Sequence, residues 1–338
     1  MPAVASLRAL FQRATELHAH GNLPEAERLY RSLLADVPDN PEVQQLLGTL
    51  YAQQGRNAQA LALLGKVVLR DSASVPSLVV FANVLSAEGR VAEALASYDR
   101  ALQRDPRCAP AWDGRGTALY VLRRYEDALA SYDAAIASRP GFAEAFNNRG
   151  YALQQLKRYP EAVASCDRAL ALQPGSAEAL NNRAVSLGLM GRLEEALTSY
   201  EAALAIHPGY ADALYNRGNT LLSLKRLEDA LASHEAALRQ QPGFAAALNG
   251  RGNVLHHLGR LEDALDSYDA ALARRPDLVD ALNNRGRTLH AMQRHREALD
   301  SYERALSTVP GNGTALNGAA LAALYLCDWD RCTDFAPR

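Results

Sequence analysis

The 338-residue chain is poor in the features on which several kinds of protein depend. Its 4 cysteines, Cys108, Cys166, Cys327 and Cys332, form no dense framework and fit no paired C-x-x-C spacing. That excludes a disulfide scaffold and a zinc module. It has almost no net charge, with 36 Lys+Arg against 38 Asp+Glu. Such a balance gives no bulk attraction to nucleic acid or to an anionic membrane. No apolar run approaches the roughly 18 residues of a membrane span. The opening MPAVASLRALFQRATELHAH also lacks the unbroken apolar core of a signal peptide. The expectation is a soluble, cytoplasmic protein with neither membrane nor nucleic acid as partner. Strict strand alternation is missing throughout, as are H-E-x-x-H, a nucleophile elbow, a P-loop and a strand–helix G-x-G-x-x-G. No catalytic residue, metal site or cofactor is therefore expected. What the chain does have is 48% hydrophobic and 22% charged residues, ordinary for a folded protein and too apolar for a disordered one.

It also has a period. With unit starts at 7, 41, 75, 109, 143, 177, 211, 245, 279 and 313, the same residue types recur every 34 residues without an insertion. We number slots within this unit. Proline fills slot 32 at Pro38, Pro106, Pro140, Pro174, Pro208, Pro242, Pro276 and Pro310, which is eight of the fifteen prolines. Glycine follows at Gly141, Gly175, Gly209, Gly243 and Gly311, so each P-G pair is expected to stop one helix and turn the chain. Slot 8 is always Gly or Ala, slot 20 is Ala in all nine complete copies, and slot 24 is usually Tyr, as at Tyr30, Tyr98, Tyr132, Tyr200, Tyr268 and Tyr302. Each copy reads as two helices of about a dozen residues joined by a short turn, often at glycine (Gly21, Gly55, Gly89, Gly191, Gly259).

Small residues where helices cross, an aromatic filling the gap and a proline closing the unit resemble the tetratricopeptide repeat. The resemblance implies an all-α fold of antiparallel helix pairs stacked into a right-handed superhelix with a long concave groove. Nine tandem repeats are expected over 7–312, with an incomplete tenth over 313–338.

At about 100° per residue, slots 4, 7, 8 and 11 of the first helix share one packing arc about 100° wide. Slots 5, 6, 9, 12 and 13 lie opposite, on the side that the resemblance assigns to the groove. Twelve of the sixteen asparagines occupy those slots: Asn83, Asn147, Asn148, Asn181, Asn182, Asn216, Asn219, Asn249, Asn253, Asn283, Asn284 and Asn317. About two or three would fall there by chance. Asparagine is a poor helix former, so the enrichment needs a compensating reason. One reading is hydrogen bonding within the stack. The sharper one is a carboxamide ladder that bonds the backbone of an extended peptide whatever its side chains. The slots hold no Lys, one Asp (Asp113) and one Arg (Arg287), so the groove is expected to be polar and nearly neutral. The clamp lysines that family members use on chaperone C-termini are absent from slots 2 and 5.

Slot 7 carries Arg115, Arg149, Arg183, Arg217, Arg251 and Arg285, where many repeats of this type place Leu. Slot 25 is acidic alongside, at Asp99, Asp133, Asp167, Glu201, Glu235, Asp269 and Glu303. A structural ladder of charge-assisted bonds between helices is the expected role. His234 and Cys166 replace slot-24 tyrosines and read as packing residues, Trp112 as a core aromatic, and Ser97, Ser131, Ser199, Ser233, Ser267 and Ser301 as architecture because they recur with the period. His256, His257 and His290 lie on the groove side as a small pH-sensitive patch.

The segment Leu324-Tyr325-Leu326-Cys327-Asp328-Trp329-Asp330 keeps register into the tenth unit, with Trp329 at slot 17 and Cys332 at slot 20. It resembles the junction that precedes the catalytic half of O-linked N-acetylglucosamine transferases and their SPINDLY-like relatives. Those enzymes also carry slot-6 asparagines, matched here by Asn148, Asn182, Asn216 and Asn284. The match fails at Gly114, Gly250 and Gly318, and at Gln12, Leu46 and Val80. The resemblance implies the substrate-recognition half of a protein O-glycosyltransferase with its catalytic region beyond Arg338. The competing reading is a non-enzymatic scaffold or assembly adaptor, and a third is a homo-oligomer formed through the uncapped tenth unit.

Overall fold

The computed structural model describes residues 2–70, 73–328 and 331, with side chains from residue 7 onward. Among them are nineteen α-helices and no strand. They form two compact units, Met1–Pro174 and Gly175–Arg338. The first contains α1 (Pro2–Ala19), α2 (Leu23–Asp36), α3 (Pro41–Gln53), α4 (Asn57–Val68), α5 (Val75–Ala87), α6 (Val91–Arg104), α7 (Ala109–Val121), α8 (Tyr125–Ser138), α9 (Ala143–Gln155) and α10 (Tyr159–Leu172). The second contains α11 (Ala177–Leu189), α12 (Leu193–Ile206), α13 (Ala211–Ser223), α14 (Leu227–Gln240), α15 (Ala245–His257), α16 (Leu261–Arg274), α17 (Val279–Ala291), α18 (His295–Thr308) and α19 (Gly313–Tyr325). Trp329, Asp330 and Cys332 of the junction segment lie outside the described residues.

Two turns per unit produce the pairing. The turn inside each pair places slot 15 in the left-handed region, which the five glycines accept without steric cost. Arg123, Lys157, Lys225, Gln293 and Cys327 take the same conformation, at φ between 57° and 61°, so packing on both sides dictates the turn even where the residue resists it. Between pairs, the proline ring bars its predecessor from helical geometry. Arg139, Gln173 and Val309 are accordingly extended, with ψ of 90°, 84° and 92°. None of the five glycines after these prolines has positive φ, so proline alone makes the stop and the expected glycine contribution is not used.

Packing explains the invariant small slots. All nine slot-20 alanines, Ala26 to Ala298, are fully buried, and the slot-24 tyrosines are at most 5% exposed. Tyr132 and Tyr268 lie against the slot-8 glycine of their own pair, Tyr98 against the slot-6 glycine of the next, and Tyr302 against both. A Cβ on Gly286 would lie 2.7 Å from the Tyr302 ring, and one on Gly318 would meet the other face of that ring. His234 is held in the same way between Gly218 and Gly250. At Gly114, Gly250 and Gly318, the gaps in the slot-6 asparagine pattern, the ring of Tyr98, His234 or Tyr302 takes the space a side chain would need.

The buried arc of the first helices is wider than the pattern predicts. It takes in slot 3 (Ala111, Ala247) and slot 10 (Ala118, Ala152, Val254), because within each unit an interior first helix is flanked by its own second helix and by that of the preceding pair. Trp112 is a correction. It is only half-buried, donates its Nε1–H to the Pro106 carbonyl at 2.9 Å and lies under the Arg115 guanidinium. Within each unit, successive first helices also touch directly (α3 to α9 in one, α11 to α19 in the other), whereas among the described residues the second helices show no comparable approach. Each stack therefore closes on its first-helix side, where the candidate site lies.

Candidate functional site

Exposure grades the first-helix face more finely than the helical wheel does. Slot 13 is exposed in every pair, from Ala19 through Gln53, Val121, Leu189 and His257 to Tyr325. Slot 9 is open at Asn83, Thr117, Tyr151, Arg287 and Leu321. Slots 5 and 6 sit deeper, at the contact between neighbouring first helices.

The asparagines divide accordingly. In the first unit Asn148 donates its Nδ2–H to Asp113 of the preceding pair at 3.0 Å. In the second, Asn216 donates to Asn181 at 3.2 Å and Asn284 to Asn249 at 3.1 Å. Slot 6 of one pair thus reaches slot 5 of the pair before it. Asn181 and Asn283 are corrected from groove to interior. They are only 6% and 8% exposed, Asn181 lying beneath Asn216 and Asn283 donating to Asn312 at 3.1 Å. Asn147 and Asn182 are half-buried and already partnered. Asn83 and Asn253 accept hydrogen bonds from the hydroxyls of Tyr98 and Tyr268 at slot 9, Asn219 is half-buried and Asn317 is exposed. Asp113 takes the place asparagine holds in later pairs, and burial pushes its carboxyl above the usual range, opposed by the Asn148 bond.

The face is less polar than its asparagines suggest. In the first unit Tyr120 stacks on Tyr151 with ring centroids 4.9 Å apart and touches Tyr125 at 5.2 Å, beside exposed Val121 and Leu122. Earlier in the same unit a hollow of about 360 Å³ opens between α3 and α5, lined by Thr49, Gln53, Asn57, Val80 and Asn83. In the second unit Leu189, Leu321, Leu324 and Tyr325 are 43–60% exposed, and about 240 Å³ lies between Leu189, Tyr200, Asn216 and Asn219. Counting only charges and carboxamides passed over these apolar steps, although Tyr120, Val121, Tyr151 and Leu189 stood in the groove slots.

Three slot-7 arginines form close inter-repeat bonds with aspartate. Arg115, Arg149 and Arg285 each donate Nε–H to the slot-25 aspartate of the preceding pair, Asp99, Asp133 and Asp269, at 2.6–2.7 Å. A second arm reaches the slot-23 serine of their own pair: Ser131 at 2.8 Å, Ser165 at 3.3 Å and Ser301 at 2.7 Å. Arg183 and Arg217 bond Ser199 and Ser233 in the same way. Glutamate fits the geometry less well than aspartate. Glu201 stands 3.9 Å from Arg217, and Arg251 turns its Nε–H to Ser267 instead. Glu303 pairs with Arg331 at 3.0 Å, since slot 7 of the tenth unit is alanine.

These contacts give a stability prediction. The Arg285 side chain is 20% exposed, and its truncation leaves a gap and removes two charge-assisted bonds. Arg285→Ala should cost about 1–2 kcal/mol. Arg285→Leu refills the space, while Asp269 remains open to water and Ser301 still bonds the Glu297 carbonyl, so it should stay within about 1 kcal/mol of the parent. Urea denaturation of the two variants checks the contrast.

Among the described residues no group of three or more His, Cys, Asp and Glu could hold a metal, and no helix is long and apolar enough to cross a membrane. Models of the tetratricopeptide repeat match residues 17–77, 79–141, 114–177, 165–198, 211–244 and 243–311, and a TPR-repeat model matches 187–225. No curated protein matches. Solved structures with similar folds include the APC/C hetero-tetramer Cut9–Hcn1, at 18% identity over 83% of this chain and TM-score 0.64. The chain spans 55% of that protein's length. Another is PilW, a type IV pilus biogenesis factor, at 24% identity over 62% of this chain and 97% of its own, TM-score 0.57. YrrB, a TPR protein with an unusual peptide-binding site, matches at 30% identity over 55% of this chain and 95% of its own, TM-score 0.44.

Proposed function

The chain belongs to the tetratricopeptide-repeat family, whose helix stacks suit protein–protein interaction, and we propose that its first-helix faces bind extended peptide segments through their asparagines. The observation that carries this reading is the pairing of slot 6 with slot 5. Asn148, Asn216 and Asn284 are each fixed by one N–H, which leaves the carbonyl oxygen and the second N–H for a peptide backbone. Fixing the amide beforehand lowers the ordering cost of binding. Recognition of the backbone, with the tyrosine cluster and the apolar slot-13 residues as adaptable contacts, implies broad partner choice. The recognition register is the 34-residue unit starting at 7, 41 and so on to 279.

The triple change of Asn148, Asn182 and Asn216 to alanine should weaken capture of an unstructured polypeptide at least about tenfold, at roughly 1 kcal/mol for each lost bond. Binding that survives the triple change in a folded variant overturns the ladder. A second reading, acceptor recognition for a protein O-glycosyltransferase, rests on the slot-6 asparagines and the Cys327–Asp330 segment. Two nucleotide-sugar-binding α/β lobes encoded after Arg338 would support it. Another repeat there, leaving an adaptor or a self-associating scaffold, would remove it.

A further inference from the structure

Basic side chains without a carboxylate among them gather on the first-helix face of the second unit. His256 and His257 end α15, Arg287 and His290 lie on α17, Lys225 is in the turn before α14, and His295 opens α18. Arg287 is the one Arg or Lys in the groove slots, and it is exposed, with the Tyr268 hydroxyl within its reach. The charged groups that bear on these histidines are basic: Arg287 and His257 on His256, Lys225 and Arg287 on His257, and His295 on His290, while burial is the main force holding all three below the ordinary histidine range. Acids do begin the neighbouring second helices. Asp229, Asp263 and Glu297 are each committed to the arginine three residues before them, at 2.5–2.7 Å, while Glu228 and Glu262 are exposed and neither bears on the three histidines. A chain of net charge −2 therefore carries a local basic surface.

The hydrogen bonds also set which nitrogens can respond. Thr288 Oγ1 lies 2.9 Å from both the Asn284 carbonyl and His256 Nδ1. That contact engages Nδ1 and leaves Nε2 as the His256 nitrogen able to meet a ligand. His290 and His295 face each other through Nδ1 atoms 3.2 Å apart, one donating to the other, with the Tyr325 ring stacked on His295 at 4.6 Å.

We propose that this cluster docks a glutamate- and aspartate-rich stretch of the bound peptide, with carboxylates at Arg287, His256 and His257, and holds it more tightly as pH falls. Charge complementarity selects the occupant. A carboxylate supplies the counter-charge that the site lacks and favours the protonated imidazoles, so proton uptake and peptide binding reinforce each other. The inference rests on the proposed peptide-binding function of this face and adds the class of segment it prefers.

Fluorescence polarisation on the full chain tests it, with labelled glutamate–serine, glutamine–serine and lysine–serine repeat peptides as probes. The glutamate peptide should bind at least about tenfold more tightly than the glutamine peptide at pH 6, and about tenfold more tightly at pH 5.5 than at pH 7.5. Arg287→Ala should weaken it about fivefold or more and lower its salt dependence, while Arg287→Lys retains binding. The double change His256→Gln with His257→Gln should flatten the pH profile, and circular dichroism establishes that each variant is folded. Equal affinity for the glutamate and glutamine peptides, or tighter binding of the lysine peptide, sinks this proposal and leaves backbone recognition standing. Binding of none of the three overturns both readings, and a pH profile unchanged in the double variant removes the histidines from the site.

Discussion

Replacing His234 by tyrosine is expected to stabilise the protein, and by more in acid than at neutrality. His234 is fully buried in a slot that holds tyrosine in six of the other eight complete copies, and neither ring nitrogen has a partner. Burial lowers its pKa to about 4 from an ordinary 6.5. The sign follows from proton counting. Between those values the unfolded chain binds the proton and the folded chain does not, so stability is full above pH 6.5 and is lost as pH falls toward 4. The loss amounts to about 2 kcal/mol at pH 5 and about 3 kcal/mol once pH reaches 4. Tyrosine removes the titration. It also fits, because Tyr302 occupies an equivalent pair of glycines, Gly286 and Gly318. Its hydroxyl would have Asn219 at slot 9 as acceptor, as Tyr98 has Asn83 and Tyr268 has Asn253. At pH 7 the gain should be about 1–2 kcal/mol from removing two unpartnered polar atoms. Urea denaturation at pH 7 and pH 5 measures both quantities. A difference between variant and parent that does not grow in acid would show that His234 is reached by water in the folded chain.

Gly286→Leu is expected to cost about 3 kcal/mol or more, the upper end for an overpacked core. The first added carbon already lies 2.7 Å from Cε1 and Cζ of Tyr302. The ring can give by the few tenths of an ångström that a methyl needs but not by an isobutyl group, because Gly318 of the next pair also lies against it and the side chain is only 5% exposed. Gly286→Ala should be much milder, since slot 8 is alanine beside Tyr30, Tyr98 and Tyr200 elsewhere in the chain. A thermal melt in which leucine is tolerated as well as alanine would mean that the stack can slide apart at this joint. Gly286→Leu should also loosen α19, whose buried Ala315, Ala319 and Ala322 share a cluster with Tyr302.

The sequence made much of this visible. The slot-8 glycines, slot-20 alanines and slot-24 rings are visible in the period because a small residue and a large one must meet at every joint. The partners of Arg115, Arg149 and Arg285 could be sought among the slot-25 acids for the same reason, as a charge at the edge of a packed arc needs a partner. Their serine arm was not legible, because Ser131 and Ser301 gave no sign of facing slot 7 until the second helix was placed beside the first. Aspartate and glutamate at slot 25 looked equivalent, and only distance separates Asp269 at 2.6 Å from Glu201 at 3.9 Å. The helical wheel put Asn181 and Asn283 on the open side, yet neighbouring residues cover them. A wheel describes one helix, and burial at slot 5 is decided by the next one.

By itself, then, the sequence determined the helix pairs, their 34-residue period and the residues that meet at each joint, because turn chemistry and side-chain size act locally and repeat with the chain. Tertiary structure decided which asparagines are fixed to one another and which stay open, where the apolar steps of the first-helix face lie, and that basic side chains spaced along 225–295 stand together without a carboxylate between them. Those are relations between residues that touch only after one repeat has packed on the next.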